Sequence, residues 1–476
     1  MPADLFAFGP FELDPSARRL LKDGEPLVLP PRQFDLLVLL VSHAGQVLPK
    51  DVLVSAAWAG VAVTDNSLEQ AISGLRRALV MPDGASPIET QARRGYRFVP
   101  EVRRLERRLA DSSLEALLAP HRAWVEGRAA LETLERAHIA HARAVFEALL
   151  AQVSDQAPAH VGLANACIMQ FEMTRSDPEP DRAALGAAVT HAREACRLDP
   201  RYGEAWATLG FVLDRTGHRD DALAASRMAV SLEPDNWRHQ VRLAYVGWGE
   251  ERLRGARRAL ALLPAFPMAH WLAATVLVAR QAFDEAEREL RIGLQAAQAV
   301  DPPRFSSVAL HWLLGLLLLR RGDEEAAFTE FDRELAQEPR GQLYAKECCS
   351  NVWYAKGVVL RRRGDRVSAA AAFTEALARV PHHPVVRLLT AWDAGYYPDL
   401  SALPSAATDS AERLLAEAGA LVLAGDVPRA AEHLDARLTA APPGSTLWVL
   451  PVDPLLTASD DPRWAAPLAR LRNRAA

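Results

Sequence analysis

The sequence has few cysteines and no long hydrophobic run. Four cysteines occur in 476 residues, and none is spaced as CxxC or set near histidine as a metal ligand would be. Reduced thiols are therefore expected, without a disulfide framework or a zinc site. The most apolar run, residues 308–319, contains His311 and ends at Arg320. It is shorter than the about 20 residues that cross a bilayer, so it is interpreted as a buried helix.

Signals for secretion and for catalysis are also missing. Residues 1–11 contain neither a charged n-region nor a sustained apolar stretch, so no secretory signal is expected. The motifs GxxxxGK[ST], HExxH and GxSxG do not occur. The pairs His138/His141 and His382/His383 are interpreted as surface or inter-helix polar residues rather than metal ligands. The sequence therefore predicts a cytoplasmic protein that is not an enzyme, has no cofactor or metal, and does not contact a membrane.

Length and charge indicate several units with different surfaces. A chain of 476 residues predicts two or three domains. The net charge of −5 hides an asymmetry, since residues 66–108 carry nine arginines against five acidic residues. Residues 1–65 carry five basic and eight acidic residues, and the remainder is acidic. A local basic face on an acidic protein favours selective contact with DNA over general nucleic-acid affinity.

The first hundred residues predict a small sheet followed by three helices and a hairpin. Residues 5–29 alternate short apolar runs with turns, a helix begins at Pro30-Pro31, and a second runs from about Pro49 to Trp58. In the third, residues 67–80, one apolar stripe comprises Leu68, Ile72, Leu75 and Leu79. The opposite face is polar or small: Asn66, Gln70, Ser73, Gly74 and Arg77. Residues 88–99 then form a hairpin with an arginine-rich tip. In DNA-binding proteins a helix of this kind enters the major groove, and the hairpin contacts the DNA beside it.

The stretches DNSLEQAISGLRRAL, residues 65–79, and IETQARRGYRFV, residues 88–99, carry a family resemblance. They resemble the winged-helix effector domain of the OmpR/PhoB type, particularly the variant in ToxR- and CadC-like regulators, over residues 5–102. The resemblance implies double-stranded DNA as a partner and a contact between the loop 59–63 and RNA polymerase. It implies DNA contacts at Asn66, Ser67, Gln70, Ser73, Arg76 and Arg77 in the helix, and at Thr90, Arg93, Arg94, Tyr96 and Arg97 in the wing.

The chain departs from its relatives in the middle of the recognition helix. Many relatives carry arginines where this sequence has Ser73-Gly74. Base readout then falls to Asn66, Gln70, Arg77 or bridging water. Glycine in mid-helix costs about 0.5–1 kcal/mol relative to alanine, so Gly74 is interpreted as allowing close approach to the groove. The receiver domain of two-component regulators is absent, and a phospho-aspartate switch is not predicted.

From residue 137 onward the spacing predicts tetratricopeptide (TPR) repeats. The positions Gly210, Gly315 and Gly357 start repeating sets in which alanine or phenylalanine and then proline follow at fixed distances. Tryptophans at repeat positions are interpreted as core residues. Seven or eight units are expected, followed by a C-terminal cap. Before the array, residues 103–109 are interpreted as a charged helical connector and residues 112–136 as helical.

The predicted fold is therefore mostly α with a small α+β N-terminal domain. Its parts are a winged helix at residues 1–104, a helical connector at 105–136 and a TPR solenoid with its cap at 137–476. The predicted function is DNA-binding transcriptional regulation, in which the repeats bind a protein, a peptide or a signal, or mediate self-association. The alternative is a protein-interaction adaptor whose winged helix does not bind DNA. The change of pattern near residue 108 predicts that the winged helix folds and binds DNA by itself.

Overall fold

The computed structural model describes residues 5–15, 17–58, 65–81, 84–92, 94–105, 114–132, 134–298, 305–396, 411–456 and 461–476. The strands are β1 (Leu5–Phe8), β2 (Phe11–Asp14), β3 (Arg19–Lys22), β4 (Glu25–Pro26), β5 (Val47–Leu48), β6 (Ile88–Gln91), β7 (Gly95–Phe98) and β8 (Arg103–Leu105). They form an antiparallel sheet in the order β4-β3-β2-β1-β8 and a second one in the order β5-β7-β6.

Helices follow one another through the rest of the chain, with α1 to α3 inside the N-terminal domain. They are α1 (Pro31–Ser42), α2 (Lys50–Trp58), α3 (Asp65–Ala78), α4 (Leu114–Glu132), α5 (Arg136–Gln152), α6 (Ala157–Thr174), α7 (Arg182–Leu198), α8 (Gly203–Arg215), α9 (Arg219–Leu232), α10 (Trp237–Val246), α11 (Glu250–Leu262), α12 (Pro267–Ala279), α13 (Phe283–Gln298), α14 (Leu310–Arg321), α15 (Glu324–Leu335), α16 (Ala345–Arg362), α17 (Arg366–Arg379), α18 (Pro384–Asp393), α19 (Ala411–Leu423), α20 (Val427–Ala440) and α21 (Ala465–Ala475).

The N-terminal domain has the predicted winged-helix arrangement. Its core joins the inner faces of α1 and α3 to the two sheets. Phe8 is central to it, with its ring 5.4 Å from that of Phe11 and 5.0 Å from that of Phe98. In β2 the exposed Glu12, and in β7 the half-buried Arg97, lie between two buried residues, as the two-residue period of a strand predicts. Strands β1, β2, β3, β5, β6 and β7 contribute buried side chains to this one apolar core.

The described start of the charged run after the wing, residues 103–105, is a strand rather than the predicted helix. Arg103–Leu105 forms β8, which pairs antiparallel with β1 through Leu5↔Leu105 and Ala7↔Arg103. This pairing supplies partners for backbone groups at the edge of β1, which local helix formation would have left unpaired. The N-terminal domain therefore closes on its own first strand, and the helical part of the connector begins later, at α4.

The C-terminal region is a helical solenoid of paired helices. Seven pairs follow in succession from α4 to α17 among the described residues, and α18, the pair α19–α20 and α21 come after them. A Cβ atom at Gly315 would lie 2.4 Å from the Phe331 ring, and one at Gly357 would lie 2.4 Å from the Phe373 ring. The same small-to-aromatic contact thus recurs in successive helix pairs, which confirms the repeat spacing predicted from these residues.

The solenoid starts earlier than predicted, and its apolar run is buried. Helix α4 packs on α5 and α6, and a Cβ atom at Gly127 would lie 2.7 Å from the Phe146 ring. The predicted connector therefore supplies the first helix of the array. Residues 310–318 of α14 are mostly buried in the solenoid core, as the sequence predicted. Within the described ranges no helix is both long and apolar enough to cross a membrane.

The two regions share one apolar core. The cluster that contains Phe34, Trp58 and Leu75 of the winged helix also contains Trp237 and Leu263 of the solenoid. Trp237 further packs on Phe266, with ring centroids 4.7 Å apart, and both contact Phe305. Buried apolar surface of this kind stabilises both partners. The sequence-based prediction of a winged helix independent of the repeats did not include this contact.

Candidate nucleic-acid interface

Helix α3 turns one face to the core and the other to solvent. Leu68, Ile72, Leu75 and Leu79 are at most 1 % exposed, as the apolar stripe predicted. Gln70, Ser73 and Arg77 lie on the opposite side and are exposed, and Ser67 is half-buried. The side chain of Asn66 lies outside the described residues. An exposed polar face on a helix held by its buried stripe is the geometry that enters a major groove.

An ion pair lies beside this face. The Lys50 amine of α2 lies 3.0 Å from the Glu69 carboxylate of α3, and both side chains are exposed. Glu69 is next to Gln70 in the helix, so its charge would repel a phosphate nearby. Lys50 offsets that charge locally. The sequence analysis did not identify this pair, because the two residues are 19 positions apart and only the fold brings them together.

Arg76 and Thr90, two residues predicted to contact DNA, are hydrogen-bonded to each other. Arg76 Nε donates to the carbonyl oxygen of Ile88 over 2.9 Å, and Arg76 Nη2 donates to Thr90 Oγ1 over 2.8 Å. Arg76 thus fastens the end of α3 to β6 of the wing. Thr90 stays exposed. The pair is better suited to fixing the angle between helix and wing than to reading bases.

Tyr96 and Arg97 lie on opposite faces of β7. Tyr96 is 3 % exposed and belongs to the core, so burial removes it from the candidate DNA contacts. The pattern arises because neighbours in a strand face opposite ways. Arg97 points outward and its Nη2 lies 2.6 Å from Glu89 Oε2 on β6. The hydrogen bond from Arg97 lowers the pKa of Glu89, so the Glu89 carboxylate is ionised at neutral pH.

The tip of the wing is held by a glycine. Gly95 has φ of +128°, and a Cβ atom there would lie 1.9 Å from the Leu48 carbonyl oxygen. Only glycine fits this conformation and this approach of β5. The Arg94 amide donates to the Gln91 carbonyl oxygen over 2.9 Å and its side chain is exposed. Arg93, the other predicted tip contact, lies outside the described residues.

Gly74 contacts the protein rather than open space. A Cβ atom on Gly74 would lie 2.3 Å from Gln33 Nε2 of α1. The residue is half-buried, which corrects its interpretation as a site of free approach to the groove. Ser73 remains exposed beside it. The small residue at position 74 therefore gives room to the Gln33 side chain, which a single sequence does not reveal.

The solenoid packs on the side of the winged helix formed by α1 and α2. The Arg32 guanidinium lies 5.7 Å from the centroid of the Trp58 ring, and burial lowers the pKa of Arg32 although Glu233 of the solenoid opposes the shift. Gln70, Ser73 and Arg77 stay exposed in this arrangement. The loop 59–63, for which the resemblance implies a contact with RNA polymerase, lies outside the described residues.

Histidines and acidic residues do not converge on a metal site in the described part of the chain. No group there has three or more His, Cys, Asp or Glu side chains placed to hold a metal ion. His141 Nε2 lies 2.6 Å from Glu126 Oε1 across α4 and α5, which agrees with its interpretation as an inter-helix polar residue.

Comparisons with known proteins find relatives for the N-terminal part. Residues 24–98 match the family described as "Transcriptional regulatory protein, C terminal". The transcriptional activator CadC of Escherichia coli K12 is 38 % identical over 96 residues, which is 20 % of this chain and 19 % of CadC. The transcriptional regulator HilA of Salmonella typhimurium LT2 is 33 % identical over 93 residues, 20 % of this chain and 17 % of HilA.

A solved structure matches the same part. The DNA-binding domain of E. coli CadC is 32 % identical, with a TM-score of 0.21, and the match covers 22 % of this chain and 100 % of that domain. The chain thus spans about a fifth of the length of the curated relatives it matches.

Proposed function

We propose that this chain, whose N-terminal region is a winged-helix domain of the OmpR/PhoB type, is a DNA-binding transcriptional regulator. In this proposal α3 enters the major groove of a promoter element. Gln70, Ser73 and Arg77 contact base edges or phosphates, with Asn66 and Ser67 at the start of the helix. The observation that carries the proposal is the exposed polar face of α3 opposite its fully buried stripe.

The wing contributes backbone contacts in the same proposal. Arg93 and Arg94 at the tip contact a phosphate or the minor groove. Arg76, Thr90 and Arg97 act on DNA mainly through the wing's position, since each already has a partner within the domain. The strength of DNA contact then depends on the tip and on α3 together.

The repeats supply control. We propose that the solenoid binds a protein, a peptide or a signal, or pairs with a second copy, and that this state sets the action of the winged helix. The shared core at Trp237 and Leu263 supports the proposal, because it provides a physical contact through which the repeats act on the DNA-binding domain. A contact of RNA polymerase with residues 59–63 is part of the same proposal.

The test uses the full chain and duplexes selected from a random-sequence library. Arg77→Ala should lower the slope of log K against log salt by about 0.9 for a lost phosphate contact. Gln70→Ala should cost about 1–3 kcal/mol and relax base preference if it reads a base edge. Arg19→Ala is the matched control, because Arg19 is exposed on β3, away from α3 and the wing.

One outcome favours the adaptor alternative instead. Failure to select any duplex, with no salt-sensitive duplex affinity in a folded protein, would mean that the winged helix binds protein. Equal affinity of wild type and of the combined Gln70→Ala/Arg77→Ala variant would show that DNA is bound by another surface.

A further inference from the structure

A group of arginines stacks on aromatic rings between α6, α8, α10 and the start of α16. The guanidinium of Arg242 lies 4.2 Å from the centroid of the Phe211 ring, and that of Arg215 lies 4.8 Å from the same centroid. The guanidinium of Arg175 lies 4.8 Å from the centroid of the Tyr344 ring. Cation–π contacts of this kind hold a guanidinium in place while leaving its N–H edge available.

Carboxylates compensate two of these three charges. Arg215 Nε lies 2.6 Å from Glu172 Oε1, and Arg215 Nη1 lies 2.7 Å from Asp214 Oδ2. Arg175 Nε lies 3.3 Å from Glu347 Oε1. Glu172 also accepts a hydrogen bond of 2.8 Å from the Tyr344 hydroxyl. Glu172, Asp214 and Glu347 are therefore occupied by Arg175, Arg215 and a tyrosine.

Arg242 differs because it has no carboxylate partner among the described residues. Its one hydrogen bond runs from Nη2 to Asn165 Oδ1 over 3.0 Å. Asn165 is itself fixed, since its Nδ2 donates to Thr208 Oγ1 over 3.1 Å and to the Val161 carbonyl oxygen over 3.0 Å. The Arg242 side chain is half-buried rather than enclosed. Its guanidinium is thus oriented, and its other N–H groups make no further hydrogen bond to the described residues.

The surroundings add positive charge. Arg215 lies close enough to Arg252 to lower its pKa, and Arg252 donates to backbone carbonyls and to Thr275 Oγ1 instead of to a carboxylate. Burial lowers the pKa of Arg242, although the neighbouring phenol and carboxyl groups oppose the shift. None of the described carboxylates is hydrogen-bonded to this half-buried cation, and an anion at its free edge would offset the cost of its burial.

The segment before α16 lies close to Arg242, since the Tyr344 phenol acts on the charge of its guanidinium. The chain before α16 returns across the first repeats, where the Leu343 amide donates to the Leu134 carbonyl oxygen over 3.1 Å. The Lys346 amine also lies 2.5 Å from Asp177 Oδ1. Arg242 therefore lies near the place where this segment meets the first repeats, a position that favours a small ligand over a folded partner.

We propose that the solenoid binds the oxyanion group, a phosphate or a carboxylate, of a small-molecule effector at Arg242. Arg242 donates to the oxyanion, and Asn165 and Phe211 position its guanidinium. The proposal deepens the signal-binding role proposed for the repeats and rests on it. Occupancy of this site would act on the segment around Tyr344 and Glu172, which joins repeats far apart in sequence.

The test measures binding directly, without DNA. Inorganic phosphate, pyrophosphate and citrate are titrated separately into the full chain at constant ionic strength. Calorimetry and the thermal midpoint are the readouts. We expect saturable binding and a rise in the midpoint with at least one probe, and the comparison of citrate with the two phosphates identifies the preferred oxyanion. At about 10 mM even a millimolar site is about nine-tenths occupied, so no saturable effect of any probe at that concentration would overturn the proposal.

Two variants separate binding from structure. Arg242→Met keeps the length of the side chain and removes the charge, so it should weaken the anion about tenfold or more while leaving the anion-free midpoint unchanged or higher. Arg254→Met is the control, since Arg254 is exposed on α11 and has no described partner. A lower anion-free midpoint for Arg242→Met, with wild-type anion affinity, would show that Arg242 is purely structural. DNA affinity of the anion-free protein does not enter this test, so failure of the proposed DNA binding remains a separate result.

Discussion

A glycine in the middle of a helix occurs in both regions of the molecule and faces a different neighbour in each. In the solenoid, a Cβ atom at Gly315 would meet the Phe331 ring, which is fully buried. In the winged helix, a Cβ atom at Gly74 would meet the end of the Gln33 side chain. A buried ring has nowhere to move, whereas an amide on a flexible side chain does. The repeats therefore depend on close packing between paired helices. At Gly74 of α3, by contrast, a larger residue would displace only the Gln33 side chain.

The two regions also differ in how they place their polar groups. The exposed residues of α3 come from one short stretch of sequence. The arginine group of the solenoid instead joins Glu172 to Tyr344, 172 positions apart. A local surface is specified by helical period, whereas the inner face of a superhelix is specified by how the repeats stack. The following predictions test this contrast, from the largest expected effect to the smallest.

Phe331→Ala should have the largest effect on stability. It removes a fully buried ring and leaves a cavity between α14 and α15, so the loss should be about 3–5 kcal/mol. Denaturant unfolding of the full chain measures it. Gly315→Ala is the companion change, for which overpacking against the ring predicts a loss of about 1–3 kcal/mol. A Phe331→Ala variant as stable as wild type would contradict the close packing of the repeats.

Trp237→Ala should uncouple the two regions. Trp237 belongs to the core of the winged helix while starting α10 of the solenoid. Its loss should cost about 3 kcal/mol and split a single thermal transition into two, because the winged helix then unfolds without the repeats. Calorimetry of the full chain measures the transitions. Trp206→Ala is the control, because Trp206 belongs to a cluster made of solenoid residues. Retention of one transition in Trp237→Ala would show that the regions do not depend on this contact.

His383 should make the C-terminal repeats sensitive to acid. Burial lowers the pKa of His383 to about 4. Its Nε2 lies 3.0 Å from Asn351 Oδ1, and its Nδ1 accepts from the Val386 amide over 3.4 Å, so a second ring proton would face a donor. The unfolded state binds this proton near the ordinary pKa of about 6.5. The contribution of the neutral His383 side chain to the free energy of unfolding is thus fully present above pH 6.5. It is lost as the pH falls toward 4, by about 1.4 kcal/mol for each pH unit between these two pKa values.

The measurement is the free energy of unfolding between pH 7 and pH 4. His383→Gln should show a shallower fall than wild type, because glutamine takes up no proton in this range. His218→Gln serves as the control, since His218 lies on the exposed side of the solenoid. Identical pH profiles for wild type and His383→Gln would contradict the assignment.

Gly74→Ala should have the smallest effect. Alanine gains about 0.5–1 kcal/mol of helix propensity over glycine, and displacement of the Gln33 amide offsets part of it, so stability should change by less than about 1 kcal/mol. The double variant Gln33→Ala/Gly74→Ala should recover the full gain. Urea unfolding of both variants tests this. A loss of more than about 2 kcal/mol in Gly74→Ala, the size expected of an overpacked core, would mean that Gly74 is as tightly packed as Gly315.

The sequence by itself determined most of the elements and their order. The stripe from Leu68 to Leu79 predicted α3 and its buried face, because helical period follows directly from residue spacing. The recurrence of glycine, alanine and phenylalanine predicted the repeats for the same reason, and the apolar run 308–319 was correctly interpreted as a buried helix. The two β-like runs around an arginine-rich turn in residues 88–99 predicted the wing. The two-residue period of such a strand also implies that Tyr96 and Arg97 face opposite ways, although both were assigned to DNA.

Only the tertiary structure decided which residues meet. Arg103–Leu105 became a strand because β1 offered an open edge, which local charge pattern does not encode. Arg76 is bonded to Thr90, Gly74 contacts Gln33, and Trp237 completes the core of the winged helix, each across a distance in sequence that carries no periodic signal. Whether the Arg242 guanidinium has a carboxylate partner depends on where each nearby carboxylate lies in the folded chain. The spacing of apolar residues determines which face of a helix is buried. Which residue of another element packs on that face is determined by the tertiary structure.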